Sequence, residues 1–229
     1  MHGTVMNALS IVMMSLLGYF AGRRMNESLK NYMMKVMGLV VFVIGLDMAF
    51  ETSNFALITL SLLTGSITGH AIGIERRLER FGVRIERRFQ GSRFAEGFVS
   101  GTLLFCVGSM AVIGPVQEAL TGDVSVLLTK SILDGIASIV LSSTLGIGVL
   151  FSALPVLLYQ SFFYFGASAV KAHATVNAVA EITSLGGVMI AAIGLNLMKI
   201  AELKPGDMLP SFLFLPIYMM LLSAISGMI

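Results

Sequence analysis

Long apolar runs with few charges between them are the feature of this sequence that most constrains its fold. A helix that crosses the hydrocarbon of a bilayer needs about 20 mainly apolar residues. Runs of that kind lie at about 3–22, 33–50, 54–74, 97–115, 124–150, 153–171, 176–198 and 208–228. Only 12% of the 229 residues are charged, about half the share that a soluble domain uses to cover its surface. The sequence therefore predicts an all-α polytopic transmembrane helix bundle of about eight spans, in a single membrane domain over 1–229.

The distribution of basic residues predicts how these spans are oriented. Four basic residues follow the first run and seven arginines follow the third, so eleven of the fifteen fall on one side. Lys and Arg are enriched in cytoplasmic connections, so we expect this side inside and both termini outside. Arg23 and Arg24 follow the first run instead of preceding it, which indicates a retained helix and not a cleaved signal peptide. The stretch 115–130, interrupted by Pro115, is expected to form a surface loop or to enter the membrane and return.

The segment 75–96 is the most highly charged part of the chain. Its apolar residues recur at spacings of three or four, and arginines fill the rest of the helical turn. A helix of this kind can lie in the membrane interface, with arginines toward anionic lipid headgroups. Two interpretations remain open, a lipid-binding helix that uses Arg84, Arg87 and Arg88, or a cytoplasmic connector that only fixes the topology.

An internal similarity suggests a repeat. The stretch 38–47 resembles 187–196, with Gly38 and Gly45 matched by Gly187 and Gly194. At this offset the first three runs fall on the last three, so the sequence predicts repeat one over 3–74 and repeat two over 152–228, around central helices at 97–150. Five spans, an odd number, precede the second copy, so it is inverted relative to the first, as in many secondary transporters.

Two alternatives to this repeat stay open. Strings of Gly, Leu, Ile and Val match each other easily by chance. In addition, a second match pairs Ser10, Ser15 and Gly18 with Ser138, Ser143 and Gly146, which implies a different pairing of the helices.

Polar residues inside the runs are the candidate transport or ion-binding sites, because an ionisable group within a bilayer is costly unless it is paired or hydrated. Lys130 and Asp134 have the i, i+4 spacing of an ion pair, which is either structural or functional. Glu181 has no basic partner nearby in the sequence and precedes a Gly-Gly pair where the helix could break; the alternative is a water-facing position at headgroup level. The remaining candidates are Asn7, Asp47, Gln160 and Asn196, and the helix-break or close-packing candidates are Gly38, Gly45, Gly186, Gly187 and Gly194.

No motif indicates catalysis, a cofactor or a metal site. Cys106 is the one cysteine and the three histidines lie far apart, so no cysteine-based metal site can form. An intramembrane protease would need a carboxylate pair such as Asp47 and Asp123, but neither residue lies in a recognisable motif. We therefore expect a protein that is not an enzyme.

Several segments together resemble a known family. They are 105–114, Gly122-Asp123, Thr129-Lys-Ser-Ile-Leu-Asp-Gly135, 145–155 and 186–196 with the preceding Glu181. This pattern resembles the bacterial inner-membrane family called "domain of unknown function 554", over essentially the whole chain. The resemblance implies a multi-pass protein of the bacterial inner membrane, of a kind usually described as a transporter without a known substrate; in that membrane the outside termini predicted from the basic residues are periplasmic.

Two functional hypotheses follow. The first is a small transporter or channel for a small solute or ion, with a polar site between inverted repeats. The alternative is a membrane scaffold or lipid-interacting protein that acts through the arginine-rich helix. The expected partners are membrane lipids, a small solute or ion, and a second copy of the chain, since glycine-rich helix faces pack closely; no nucleic acid is expected.

Overall fold

The computed structural model describes residues 1–77, 80, 93–167 and 176–226, and the regular structure in these residues is helical. The helices are α1 (His2–Arg24), α2 (Glu27–Ala49), α3 (Phe55–Ile72), α4 (Phe94–Cys106), α5 (Ser109–Thr121), α6 (Ser125–Leu145), α7 (Gly148–Phe151), α8 (Ala153–Phe165), α9 (Val176–Leu197), α10 (Pro205–Met208) and α11 (Ser211–Ser226). Short polar turns separate the first three helices. Asn26 and Asn54 cap α2 and α3 by accepting hydrogen bonds from Leu29 N and Leu57 N, as asparagine does at helix N-termini.

Seven stretches of the described residues are long and apolar enough to cross a membrane. They are His2–Arg24, Ser28–Ala49, Phe55–Ile72, Ser125–Leu145, Gly148–Phe165, Asn177–Leu197 and Pro205–Leu222. An eighth candidate is the pair formed by α4 and α5, which is bent by 54° at a short break. The predicted polytopic helix bundle is therefore confirmed.

Contacts at the two ends of the bundle show that the bent pair α4–α5 runs from one end to the other. The backbone N–H of Arg93 donates to Leu145 O at the start of α4, whereas Glu118, near the end of α5, accepts from Gly3 N. We call the end that carries Arg24, Arg93 and Leu145 the basic end, and the end that carries Gly3 and Glu118 the opposite end. The pair α4–α5 runs from the basic end to the opposite end as a broken span.

The structure corrects two predicted boundaries. The stretch 115–130 is not a returning segment, and its surface loop is limited to residues 122–124, because α5 continues through Pro115 to Thr121 and α6 begins at Ser125. Gly122 ends α5 with φ of 76°, a left-handed conformation that glycine adopts without strain. The connector predicted over 75–96 ends earlier than expected, because α4 already begins at Phe94. Arg84, Arg87 and Arg88 lie outside the described residues.

The helices α1 and α6 are parallel and pack along a line of small residues. Gly3 lies against Leu127 near the opposite end, and Gly22 lies against the backbone of Ser143 near the basic end. Between them, the Ser10 hydroxyl donates to Ser131 O over 2.6 Å. Small residues let backbones approach closely where no water is available to drive association.

The helices α2 and α9 are antiparallel and approach closely through the four glycines of the predicted repeat. Gly38 lies against Gly194, and Gly45 lies against Gly187. The predicted helix break at Gly186-Gly187 is wrong, because α9 is continuous from Val176 to Leu197. Glycine here gives close approach: a side chain at Gly187 would overlap the backbone of α2.

The break occurs instead between α4 and α5. Gly108 has φ of 117°, and Val107, which ends α4 in an extended conformation, packs against Gly186 of α9. Non-helical backbone at membrane depth is tolerated where it is buried within protein. The absent side chain of Gly186 therefore makes room for the break in the neighbouring span.

Candidate functional site

A buried ion pair lies between α1 and α6. The ammonium group of Lys130 is 2.9 Å from Oδ2 and 3.1 Å from Oδ1 of Asp134, as the i, i+4 spacing predicts. The amide nitrogen of Asn7 donates to Asp134 Oδ2 over 3.0 Å. Asn7 is 0% exposed, Lys130 5% and Asp134 6%. Three of the predicted site residues therefore form one hydrogen-bonded group.

Several polar atoms close to this group have no hydrogen-bond partner within the described part of the chain. They are Thr4 Oγ1, Asn7 Oδ1, Ser138 Oγ and both amide atoms of Gln160. Thr4 precedes Asn7 by one helical turn, and Ser138 follows Asp134 by one turn. Each such buried polar atom costs roughly 1–3 kcal/mol when it is left without a partner.

Gln160 lies on α8 beside the first turns of α1, because Tyr164, one turn beyond Gln160, interacts with the Met1 amino group. The apolar residues Ile11 of α1 and Val156 of α8 belong to one buried core. Asn7 and Gln160 each lie one turn from these residues, toward the opposite end of the bundle. We call Thr4, Asn7, Lys130, Asp134, Ser138 and Gln160 the central cluster.

The broken span brings Cys106 to the same region. Its thiol, at the end of α4, lies within electrostatic range of Lys130 and Asp134. The central cluster therefore combines a paired cation and anion, two amide side chains and two hydroxyls beside a helix break. Such a set can donate to and accept from water, an ion or a small polar solute.

A separate polar cavity opens at the basic end. Its volume is about 910 Å³, and its charged and amide lining residues are Glu75, Arg93, Glu96, Asn196, Lys199 and Glu202. Asn196 holds the adjoining loop, since its side chain accepts from Leu203 N over 2.9 Å and donates to Leu203 O over 2.8 Å. We call this cavity the vestibule. Its size is within the range of small-molecule sites.

One apolar core borders both polar regions. Val99 and Ile193 line the vestibule and belong to the same buried core as Ile11 and Val156 beside the central cluster. Phe105, next to the break in the α4–α5 span, is a fully buried member of this core. Apolar side chains of this core therefore lie between the vestibule and the central cluster.

Glu181 lies elsewhere, at the opposite end. It is 4% exposed and accepts hydrogen bonds from the Thr52 hydroxyl and from the Ser53 backbone N–H and hydroxyl, over 3.2 and 3.1 Å. A carboxylate that accepts several hydrogen bonds in this way fixes the turn between α2 and α3 against α9. The structure does not bring Glu181 to the central cluster.

Asp47 is exposed at the same end of α2. Burial raises the pKa of the neighbouring Glu51 carboxyl, and the charge of Asp47 raises that pKa further. The observed effect of Asp47 is therefore on the pKa of a neighbouring carboxyl at the surface. A role of Asp47 in transport stays a prediction. Thr4 and Ser138 are the residues of the central cluster that were not among the predicted site residues, although their positions one turn from Asn7 and Asp134 are visible in the sequence.

Comparison with known proteins places the chain among membrane proteins. Residues 2–220 match the model of a family described as "Protein of unknown function (DUF554)". The "Uncharacterized membrane protein YdfK" of Bacillus subtilis (strain 168) is 32% identical over 228 residues, covering 98% of each chain. The "Uncharacterized protein YqgA" of Escherichia coli (strain K12) is 26% identical over 218 residues, covering 92% of this chain and 93% of that protein. No solved structure matches the chain.

Proposed function

The chain belongs to the family of proteins of unknown function DUF554, and we propose that this membrane protein is a small transporter or channel for a small solute or ion. The central cluster is the observation that carries the proposal. A buried ion pair is seldom better for stability than well-packed apolar residues. Ionisable groups kept within a transmembrane bundle mark substrate, ion or proton pathways.

The vestibule and the broken span support the same proposal. The vestibule gives a polar route into the bundle from the basic end, and the central cluster lies beyond the apolar core that closes this route. Broken helices next to a polar site are the common means by which transporters bind solutes at mid-membrane. Phe105, at the break, is the side chain that we propose moves when the route opens.

The predicted inverted repeat receives support from reciprocal contacts. Gly187 and Gly194 follow Gly38 and Gly45 by 149 residues. Gly38 contacts Gly194, the counterpart of Gly45, and Gly45 contacts Gly187, the counterpart of Gly38. A two-fold axis in the membrane plane between α2 and α9 produces this exchange of partners.

The distribution of basic residues also indicates in which orientation the protein lies in its membrane. We infer a bacterial inner-membrane protein with the basic end in the cytoplasm, both termini in the periplasm, and no enzymatic activity. Arg24, Arg93 and Lys199 all lie at the basic end, in agreement with the enrichment of basic residues in cytoplasmic connections. A homo-oligomer is the proposed assembly.

Flux measurements in proteoliposomes test the function. Uptake of monovalent cations, monovalent anions and small amino acids is measured for the unaltered protein and for Asp134→Asn, which keeps the side-chain size and removes the charge. Asp123→Asn is the matched control, because this exposed Asp accepts from Ser125 N and an asparagine oxygen can do the same. We expect flux of one class, lost in Asp134→Asn and kept in Asp123→Asn.

Equal flux in both variants, or no flux of any class, contradicts the proposal. In that case the alternative, a scaffold or lipid-interacting protein, makes its own prediction. Neutralising Arg84, Arg87 and Arg88 then abolishes the cellular phenotype, and Asp134→Asn leaves it unchanged.

A further inference from the structure

Unpartnered polar atoms form a row along the contact between α1 and α6. From the opposite end inward they are Glu118 Oε2, Thr4 Oγ1, Asn7 Oδ1, Ser138 Oγ and Ser15 Oγ, each without a hydrogen-bond partner within the described residues. Thr4, Ser15 and Ser138 are 0% exposed. Asp134 lies within this row, since Asn7 donates to it and Ser138 follows it by one turn.

The spacing of this row fits water. One helical turn rises about 5.4 Å, and two hydrogen bonds to a bridging water span about the same distance, at about 2.8 Å each. Buried waters in proteins typically bind polar groups that lack other partners. Hydroxyl, amide and carboxylate atoms one turn apart can therefore be bridged in succession by single waters.

The row begins beside a charged pair at the opposite end and stops at a backbone contact toward the basic end. At the opposite end, the other oxygen of Glu118, Oε1, lies 2.9 Å from the amino group of Met1, whose side chain is 36% exposed. At the basic end, Gly18 and Gly22 lie against the backbone of Ile139 and Ser143 so closely that a Cβ atom would overlap it. The Ser142 hydroxyl also donates to Ser15 O. The row of unpartnered atoms therefore extends from Glu118 to Ser15 and stops where the two helix backbones are in contact.

We infer that this row holds a file of water molecules that carries protons from the Glu118 end to Asp134, which makes the proton the coupling ion of the proposed transporter. The inference rests on the proposed function for its coupling role. A proton enters at Glu118, successive waters each accept one proton and release another, and the last water releases a proton to the Asp134 carboxylate. One O–H bond forms on Asp134 as one breaks on hydronium, and no other reactant is needed.

Proton binding at Asp134 changes the partner of Lys130. The neutral carboxyl no longer pairs with the ammonium group, and the buried cation then needs another oxygen. Asn7 Oδ1, which is unpartnered and belongs to a residue that already contacts Asp134, can accept from it. Protonation of Asp134 therefore moves Lys130 from Asp134 to Asn7 and rearranges the central cluster.

Cysteine accessibility tests the water file without any assumption about the solute. In a Cys106→Ser background, Thr4→Cys and Ser138→Cys are treated with a small charged thiol reagent from the side of the opposite end. Leu9→Cys and Ile132→Cys are the controls on the same two helices, because these residues are 56% and 65% exposed on the apolar outer surface. Since the thiolate is the reactive form and needs water, we expect the first pair to react at least about tenfold faster.

Proton uptake tests the role of the file. Because the row stops at Ser15, protons should cross the membrane only together with solute. Proteoliposomes containing a pH-sensitive dye are therefore given an inward proton gradient together with each solute class of the flux assay, and acidification of the lumen is compared between the unaltered protein, Asp134→Asn and Asp123→Asn. We expect acidification that Asp134→Asn loses and Asp123→Asn keeps. Equal, slow modification of all four cysteines overturns the water file, and accessible cysteines without proton uptake overturn the proton role. Solute flux that is independent of the pH gradient overturns the coupling while the transport proposal stands.

Discussion

Gly45 and Gly187 contact each other through their backbones where α2 crosses α9. A Cβ atom on Gly45 would lie 2.7 Å from the carbonyl oxygen of Gly187, and one on Gly187 would lie 2.7 Å from the carbonyl oxygen of Gly45. Gly38 and Gly194 meet in the same way, at 2.9 and 2.7 Å. These separations are shorter than any ordinary contact of a methyl group, so the helix pair depends on the absence of side chains at four positions.

We expect Gly45→Ala and Gly194→Ala to destabilise the protein by similar amounts, about 1–3 kcal/mol each, because added methyl groups in a tight contact force the backbones apart. The two residues are counterparts in the predicted repeat, so similar costs are the specific expectation. Thermal unfolding in detergent measures them. Val43→Ile adds one methylene on the exposed face of the same helix and should leave stability unchanged; unequal glycine costs would speak against the repeat.

The buried ion pair predicts non-additive effects on stability. Lys130→Met leaves Asp134 buried without its cation and should cost about 3–5 kcal/mol, whereas the double variant Lys130→Met with Asp134→Leu should recover most of this loss. The double variant should nevertheless have no flux. Denaturation of all variants under one set of detergent conditions gives the coupling energy, and additive single-variant costs would show that the pair does not act as a unit.

Glu181 should affect stability more than flux. Glu181→Gln replaces one acceptor oxygen by a donor, so the Ser53 and Thr52 groups cannot all keep their hydrogen bonds, at a cost of about 1–3 kcal/mol. Flux per folded molecule should stay near that of the unaltered protein. Ser53→Ala, which removes one of the donors, serves as the smaller matched change. Loss of flux in a fully folded Glu181→Gln protein would instead place this carboxylate on the transport route.

The raised pKa of Glu51 gives a pH dependence of stability. A carboxyl whose pKa is higher in the folded state holds its proton more tightly there, so its contribution favours folding at low pH and is lost as pH rises. Glu51→Gln should therefore be more stable than the unaltered protein at neutral pH. The difference should vanish below about pH 4, where the unfolded carboxyl is also protonated. Unfolding measured across this pH range checks the direction.

The proposed orientation is testable with single cysteines in the Cys106→Ser background. Glu51→Cys and Asp123→Cys, at the opposite end, should react with a membrane-impermeant maleimide in intact spheroplasts. Asn26→Cys and Glu202→Cys, at the basic end, should react only after permeabilisation. The reverse pattern would place the basic end in the periplasm.

The fold was largely predictable because hydrocarbon imposes a simple length and polarity requirement on each span. The pairing of Lys130 with Asp134 was predictable for a similar reason, since it is local to one helix. The partners of Asp134 on other helices were not, because Asn7 lies 127 residues away and nothing in the spacing of apolar residues indicates which spans touch. The helix break predicted at Gly186-Gly187 was wrong because glycine is common both at close helix contacts and at backbone breaks. The sequence does not tell these two roles apart, and here the packing of Val107 against Gly186 shows that the role is close contact.

The parallel packing of α1 on α6 has a consequence for biosynthesis. Asp134 is translated 127 residues after its partner Asn7, an interval of roughly 6–25 s at the usual rates of elongation. Throughout this interval the polar stripe of the first helix must remain beside the translocon, a chaperone or earlier-made helices, because lipid cannot satisfy it. Ribosome stalling before residue 134 should therefore leave a nascent chain that insertion quality control recognises by its first helix.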